Sequence, residues 1–172
     1  MDVDKFKAYV TGIQRATLFE VEVYGGNIVR AFPTTNLKFT CKSASVPSST
    51  FGVIEVPYMG RKIKFNGDRT YEEWQTTVII DNNWNIYNHI FDWHSAMNDP
   101  QKNVALSENM NDNKGTAIVK LLSNTGNVNF AIKLVGFFPH ALQQVELGWD
   151  QNDTTADLAV SWSFDYALKV NV

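Results

Sequence analysis

The chain has 172 residues, and its 44% hydrophobic and 19% charged content is typical of one folded globular domain. Its net charge of −3 argues against sequence-specific binding to duplex DNA, which usually needs a basic surface. The single cysteine, Cys41, excludes an intramolecular disulfide and a zinc site built from several cysteines. No apolar run approaches the roughly 18 residues that a transmembrane helix requires, and the acidic start at residues 1–5 lacks the apolar core of a signal peptide. We therefore expect an intracellular protein without a membrane span.

The N-terminal third predicts a short helix followed by two strands. Phe6, Val10 and Ile13 recur at helical spacing, so we predict an N-terminal arm or short helix within residues 1–17. Two later runs, Phe19–Val23 and Leu37–Lys42, alternate apolar and polar residues with a period of two. Such alternation predicts strands with one buried face, and it puts Cys41 on an apolar face as an inert thiol.

The middle of the chain predicts a loop and three further strands. The small polar residues of Ser43–Gly52 are typical of a loop. Strand-like runs follow, and Asn66-Gly67 favours a tight hairpin turn because both residues tolerate positive φ. The predicted strands are Val53–Val56, Arg61–Phe65 and Trp74–Ile80.

One amphipathic helix is predicted over residues 82–98. Its apolar residues recur at i, i+4, i+7 and i+11, and Asn82 and Asn83 are candidates for its N-cap. Pro100 ends the helix because the residue before a proline resists helical geometry. The apolar positions are Ile86, Ile90, Trp93 and Met97. Residues 99–115 are rich in Asn, Asp and Gly and predict a long exposed loop.

The C-terminal third predicts three more strands. The first two are Ala117–Leu122 and Val128–Leu134, the second of which should end at Gly136–Pro139. The last, Asp157–Leu168, has one bulky apolar face and one small or acidic face. About eight short strands with one inserted helix predict a mainly β protein, an antiparallel sandwich or barrel, as a single domain over residues 1–172.

No catalytic, cofactor-binding or metal-binding constellation is recognisable. The sequence has no phosphate-binding glycine loop and no nucleophile elbow. His89 and His94 lie five residues apart on the predicted helix, a spacing that does not put two ligands on one face. We therefore predict a binding or assembly protein rather than an enzyme. The rival from another class, a ligand-binding or enzymatic β-barrel, would need an apolar pocket with convergent polar groups.

A small basic cluster lies on one predicted strand. Lys62 and Lys64 share a face opposite Ile63 and Phe65, and Arg61 precedes them. The cluster is either a solvated face or a contact patch for an acidic neighbour. Nucleic acid binding is less favoured because no aromatic residues interleave with these lysines on their face.

Several segments together resemble the tail tube proteins of contractile-tailed bacteriophages. The central one is the eighteen-residue run PYMGRKIKFNGDRTYEEW, which begins at Pro57. The supporting segments occur in the family's order over about residues 18–167, nearly the whole chain. They are Leu18–Val21, Phe39–Pro47, Phe91–Trp93, Glu146–Asp150 and Asp165-Tyr166.

The resemblance implies a β-sandwich that works only as an assembly. Six copies would form a ring closed by an inner β-barrel, and rings would stack into a hollow tube without cofactors. The partners would be other copies, the tail sheath, the baseplate and the tail terminator. DNA would pass through the lumen without specific binding. The protein would be assembled in the host cytoplasm and reside in the virion tail, with no stable membrane insertion by the monomer.

Two candidate contact surfaces follow from that expectation. The hairpin Val53–Thr70 would reach the next ring or a neighbouring subunit, and its contact candidates are Glu55, Arg61, Lys62, Lys64, Asp68 and Arg69. The polar face of the last strand would line the lumen or the sheath side, through Asp157, Ser161 and Asp165.

Two related functions remain open within this interpretation. The chain could instead form the inner tube of a tailocin, an extracellular contractile system or a type VI secretion system. It could also be a baseplate or terminator paralogue, which would form one ring and not polymerise.

Overall fold

The computed structural model describes residues 2–10, 12–27 and 34–171. Nine strands and three α-helices account for most of these residues, with a short 3-10 helix at Met110–Asn113. The helices are α1 (Val3–Tyr9), α2 (Thr34–Thr40) and α3 (Asn85–Met97). The strands are β1 (Phe19–Tyr24), β2 (Cys41–Ala44), β3 (Ser49–Tyr58), β4 (Arg61–Tyr71), β5 (Trp74–Ile79), β6 (Gly115–Leu122), β7 (Val128–Leu142), β8 (Asp157–Ser163) and β9 (Tyr166–Val170).

Strand β7 joins two antiparallel sheets. Its first part pairs with β6 on one side and β9 on the other, and β1 pairs with β6. Its last part pairs with β8, which continues through β5 to β2. Strands β3 and β4 form a separate two-stranded sheet. The predicted mainly β, antiparallel architecture is confirmed, and α2 is a helix that was not predicted.

The core is dominated by aromatic rings. Phe137 stacks on Trp162 with 4.5 Å between ring centroids, and Trp93 and Trp74 pack edge-on or tilted around them. Buried indole N–H groups need acceptors. The Trp162 N–H donates to the Thr76 hydroxyl at 2.8 Å, and the Trp93 N–H donates to the Asn113 carbonyl at 2.8 Å.

Helix α3 confirms the predicted amphipathic element and its C-terminal end. Ile86, Ile90 and Trp93 are buried against the sheets. The predicted N-caps, Asn82 and Asn83, are wrong because Asp81 takes that role from one turn away. Its carboxylate accepts the backbone N–H of Asn85 at 2.8 Å.

The strand predicted over Leu37–Lys42 is wrong. Residues through Thr40 form α2, and only Cys41–Ala44 is extended. Residues two apart on a helix point to opposite sides, whereas on a strand they share a face. Leu37 is accordingly 1% exposed and Phe39 is 78% exposed.

The hairpin turn predicted at Asn66-Gly67 lies elsewhere. Both residues are inside β4, and the chain reverses at Met59-Gly60, where φ is 45° and 79°. Gly67 instead allows β3 and β4 to approach closely where their register shifts, because a Cβ there would lie 3.1 Å from the Gly52 backbone. Strand β3 also begins at Ser49, inside the predicted loop Ser43–Gly52.

The predicted last strand is interrupted, and β7 does not end where predicted. Strand β7 continues through Gly136–Pro139 to Leu142, and the final strand breaks at Phe164-Asp165. The Asp165 N–H donates to the Val135 carbonyl at 2.9 Å. A Cβ on Gly136 would lie 2.0 Å from the Asp165 carboxylate, so the glycine leaves the space that the Asp165 side chain occupies.

A short N-terminal helix is present within residues 1–17, but it ends before Val10 and Ile13, two of the three residues whose spacing predicted it. Helix α1 ends at Tyr9, and residue 11, inside the predicted span, lies outside the described residues. Phe6 and Ile13 are 66% and 72% exposed, so their helical spacing does not mark a buried face in the single chain.

Candidate assembly surfaces

The β3–β4 hairpin is the most exposed sheet of the described chain. Its register runs from Ser49↔Tyr71 to Tyr58↔Arg61. Every residue of β3 is exposed, and so is every residue of β4 except Gly67 and Tyr71. The ring of Tyr71 lies 5.5 Å from that of Phe164, which anchors the base of the hairpin to the core.

One face of this hairpin is apolar and uncovered in the single chain. Ile54 pairs with Phe65 across the strands, and Val56 pairs with Ile63. These side chains and Tyr58 are 44–61% exposed. A two-stranded ribbon is marginally stable alone in water, and contiguous exposed apolar surface marks interaction sites. This face therefore has the exposed apolar surface expected of one side of a protein–protein interface.

The other face carries Lys62 and Lys64 of the predicted basic cluster, whereas Arg61 pairs with Tyr58 and so shares the apolar face. Glu55 lies directly opposite Lys64, and its carboxylate is 2.7 Å from the Lys62 ammonium and 3.8 Å from the Lys64 ammonium. Both lysine side chains are about 70% exposed, so these pairs are weak in water. Arg69 stacks on the Phe51 ring at 4.6 Å. All six predicted contact candidates, including Arg61 and Asp68, lie on this hairpin.

The predicted polar face of the last strand is divided. Asp157 and Ser161 are on β8, whereas Asp165 lies beyond the strand break. Ser161 is only 3% exposed and donates to the Gln75 side chain at 2.9 Å, so its inclusion as an accessible lumen or sheath-facing residue is wrong. The alternation predicted an exposed serine, but Gln75 on the neighbouring strand covers Ser161.

The two carboxylates of that face are accessible and paired. Lys114 donates to Asp165 at 2.8 Å. Lys42 and the Thr155 hydroxyl donate to Asp157, and the hydrogen bond from the Lys42 ammonium holds the pKa of Asp157 below its ordinary value. Neither carboxylate lies in the core, so both remain lumen or sheath-facing candidates.

The cysteine and histidines have features expected of structural residues. Burial raises the pKa of Cys41 to about 11, so the thiol is protonated and inert at neutral pH. Burial lowers the pKa of His94, and His140 lies 3.2 Å from Glu73. Within residues 2–10, 12–27 and 34–171, no three His, Cys, Asp or Glu side chains are arranged to hold a metal.

Residues 143–156, here called the acidic loop, were not predicted as a site. The segment joins β7 to β8 and contains Glu146, Asp150 and Asp153 but no Lys or Arg. Leu147 is 74% exposed and Trp149 is fully exposed. The available signal was two large apolar residues within a polar, acidic stretch, which is unusual for a solvated loop.

The sequence matches one protein family over almost its whole length. The phage tail tube protein family covers residues 5–168. A curated relative is the tail tube protein gp19 of Enterobacteria phage T4, which is 26% identical over 164 residues. That match spans 95% of this chain and 96% of the relative.

The fold matches solved components of an extracellular contractile injection system, PVC. A chain of its sheath/tube terminator in the extended state has a TM-score of 0.69 at 17% identity, over 94% of this chain and 99% of that one. A chain of its sheath-tube complex in the extended state has a TM-score of 0.68 at 16% identity. That match covers 100% of this chain and 99% of the other.

Proposed function

We propose, because the chain belongs to the phage tail tube protein family, that its copies polymerise as stacked hexameric rings into the hollow inner tube of a contractile tail. The family is a structural one, and the chain is not an enzyme. The proposed tube delivers DNA to the host, inside a sheath, between a baseplate and a tail terminator. It resides in the virion after assembly in the host cytoplasm.

The observation that carries the proposal is the uncovered apolar face of the β3–β4 hairpin. A monomer that exposes Ile54, Ile63 and Phe65 together exposes surface that another molecule should bury. At about 25 cal/mol per Å² of apolar area, repeated burial in every subunit would favour a polymer over free chains. The hairpin is therefore the proposed contact to a neighbouring subunit or ring.

The open sheet edges support ring closure. Strands β1 and β2 stand at the two ends of the strand order β1-β6-β7-β8-β5-β2. Exposed strand edges can pair with another chain, and a closed barrel removes them. We propose that pairing between subunits forms the inner barrel, with Asp157 and Asp165 facing the lumen or the sheath. A mildly acidic lumen would repel phosphates and let DNA slide.

A single non-stacking ring is the second candidate function. The structural match to a terminator is as good as the match to a chain of a sheath-tube complex, with TM-scores of 0.69 and 0.68. A terminator would use the same fold and the same ring contacts without polymerising.

Negative-stain electron microscopy of the purified protein distinguishes these functions. Long hollow tubes are the expected result, and isolated rings at every concentration would favour the terminator. A monomer that forms neither rings nor tubes, alone or with baseplate components, would overturn both.

A further inference from the structure

We propose that the β3–β4 hairpin of one copy docks on the acidic loop, residues 143–156, of a second copy, in a head-to-tail contact. The proposal rests on the proposed self-assembly and names the two surfaces that meet. The hairpin supplies an apolar face that also carries Arg61, with Lys62 and Lys64 on its other face, and the loop supplies Leu147 and Trp149 among acidic residues.

The two surfaces lie at opposite ends of the β5–β8 ladder. At one end Trp74 pairs with Trp162, three residues after the hairpin ends at Tyr71. At the other end Ile79 pairs with Asp157, and the Ile80 N–H donates to the carbonyl of Ala156, the last residue of the loop, at 2.9 Å. The ladder's five steps of about 3.4 Å separate these ends by roughly 17 Å.

This placement favours contact between copies. The hairpin points away from the core at one end, and its apolar face is uncovered within its own chain. When the two halves of a contact lie at opposite ends of a subunit, the contact is heterologous. Repetition of a heterologous contact generates a ring or an open polymer rather than a closed pair.

The charges of the two surfaces are complementary. Residues 49–71 contain four basic and two acidic side chains, for a net charge of +2. The acidic loop carries three acidic side chains and no basic one, for a net charge of −3. Complementary charge fixes the register and orientation of an interface, and like charges across it are strongly unfavourable.

Both surfaces also expose large apolar side chains. Trp149 and Leu147 are exposed in the loop, and aromatic anchors of this kind are enriched among residues that dominate binding energy. The hairpin offers Ile54, Ile63 and Phe65 to cover them. A sheath protein or another tail component is the alternative occupant of either surface, and in that case charge-reversed chains would still assemble normally on their own.

Reversing the charges tests the pairing directly. The hairpin variant carries Glu55→Lys, Arg61→Glu, Lys62→Glu and Lys64→Glu, which reverses the internal ion pairs and changes the hairpin charge from +2 to −2. The loop variant carries Glu146→Lys and Asp150→Lys, which changes the loop charge from −3 to +1. Asp153 is kept because its φ of 57° disfavours most side chains.

Each variant alone should lower the yield of tubes at least tenfold, because like charges then meet at every contact. An equimolar mixture should restore tubes, because each altered surface then finds a complementary one. The control Asp92→Lys with Glu108→Lys, which raises the net charge by four as the loop variant does but outside both segments, should assemble like the unsubstituted chain. Circular dichroism checks that every variant is folded.

The proposal is overturned if either variant alone assembles normally, or if two folded variants stay unassembled when mixed. Failure of the unsubstituted chain to assemble would instead count against the proposed function. A second measurement covers a variant that does not fold. A chain that carries both Met59→Cys and Leu147→Cys, with Cys41→Ser, should give a ladder of covalent dimers and higher oligomers in tubes treated with a flexible bis-maleimide, and each cysteine alone should not. Tubes without such dimers would also contradict the pairing.

Discussion

The β5–β8 ladder and the β3–β4 hairpin are two antiparallel ribbons with similar chemistry and opposite environments. Trp74, Val78, Leu158, Val160 and Trp162 of the first are at most 1% exposed. The second exposes Ile54, Ile63 and Phe65 to about half of their surface. The two ribbons show that a strand can form without its apolar face being buried by its own chain. The first ribbon is covered by its own chain, and we assign the cover of the second to another copy.

The largest effect on the free energy of unfolding of the single chain is expected from Trp162→Ala. The change leaves a cavity beside Phe137 and removes the donor to the Thr76 hydroxyl. We expect a loss of about 3–5 kcal/mol in denaturant unfolding of dissociated protein. The matched control is Trp149→Ala, at a fully exposed tryptophan, which should change stability by no more than about 0.5 kcal/mol. Equal losses of stability in the two variants would contradict the difference in burial between Trp162 and Trp149.

Gly136→Ala should be next, at about 2–3 kcal/mol. Gly136 has φ of 70°, and a Cβ would collide with the Asp165 carboxylate, which Lys114 holds. Gly126→Ala is the control, because Gly126 has φ of 85° but open space around it, so only backbone strain of about 1 kcal/mol applies. Thermal unfolding of both variants should show the larger loss for Gly136→Ala, and the reverse order would refute the collision.

A smaller, pH-dependent effect is expected from Asp157→Asn. The folded chain lowers the pKa of Asp157, chiefly through the Lys42 ammonium. The stabilisation is therefore present above the unfolded carboxyl's pKa of about 3.9 and is lost as the pH falls through the lower folded value. Since the pair is partly exposed, we expect at most about 1 kcal/mol at neutral pH and none in acid. Denaturant unfolding measured from neutral to acid pH checks this, and a loss of stability that persists in acid would contradict it.

The smallest effect on single-chain stability is expected from Ile63→Ser with Phe65→Ser in the hairpin. Neither side chain packs in the core, so unfolding should change by no more than about 0.5 kcal/mol. Tube formation should nevertheless be lost, because the apolar face of the proposed interface is removed. The control Ile63→Val with Phe65→Leu keeps an apolar face and should assemble. Normal tubes from the serine variant in electron micrographs would contradict the proposed role of the hairpin in assembly.

The fold was predictable where the local pattern matched the final environment. Ile86, Ile90 and Trp93 recur at helical spacing and are buried as α3, and the alternation of β1 is retained in the sheet. It was not predictable where distant contacts decide. The break at Phe164-Asp165 depends on Val135 and Lys114, and the conformation of Leu37 depends on the core that it enters.

The sequence predicted the candidate contact surface on the hairpin only in part. The sequence correctly placed Lys62 and Lys64 on one face and Ile63 and Phe65 on the other. Alternation alone indicates that an apolar face will be buried, without saying by which molecule. The turn was misplaced because Asn66-Gly67 has ideal turn residues, whereas Met59-Gly60 reverses the chain with an unfavourable methionine at positive φ.

Hydrogen–deuterium exchange of dissociated and assembled protein tests the central claim most directly. Amides of the β5–β8 ladder should be equally protected in both states, because their own chain buries them. Amides of residues 49–71 should exchange fast in the dissociated chain and at least tenfold more slowly in tubes. Equal exchange of the hairpin in both states would show that no second copy covers it and would contradict the account.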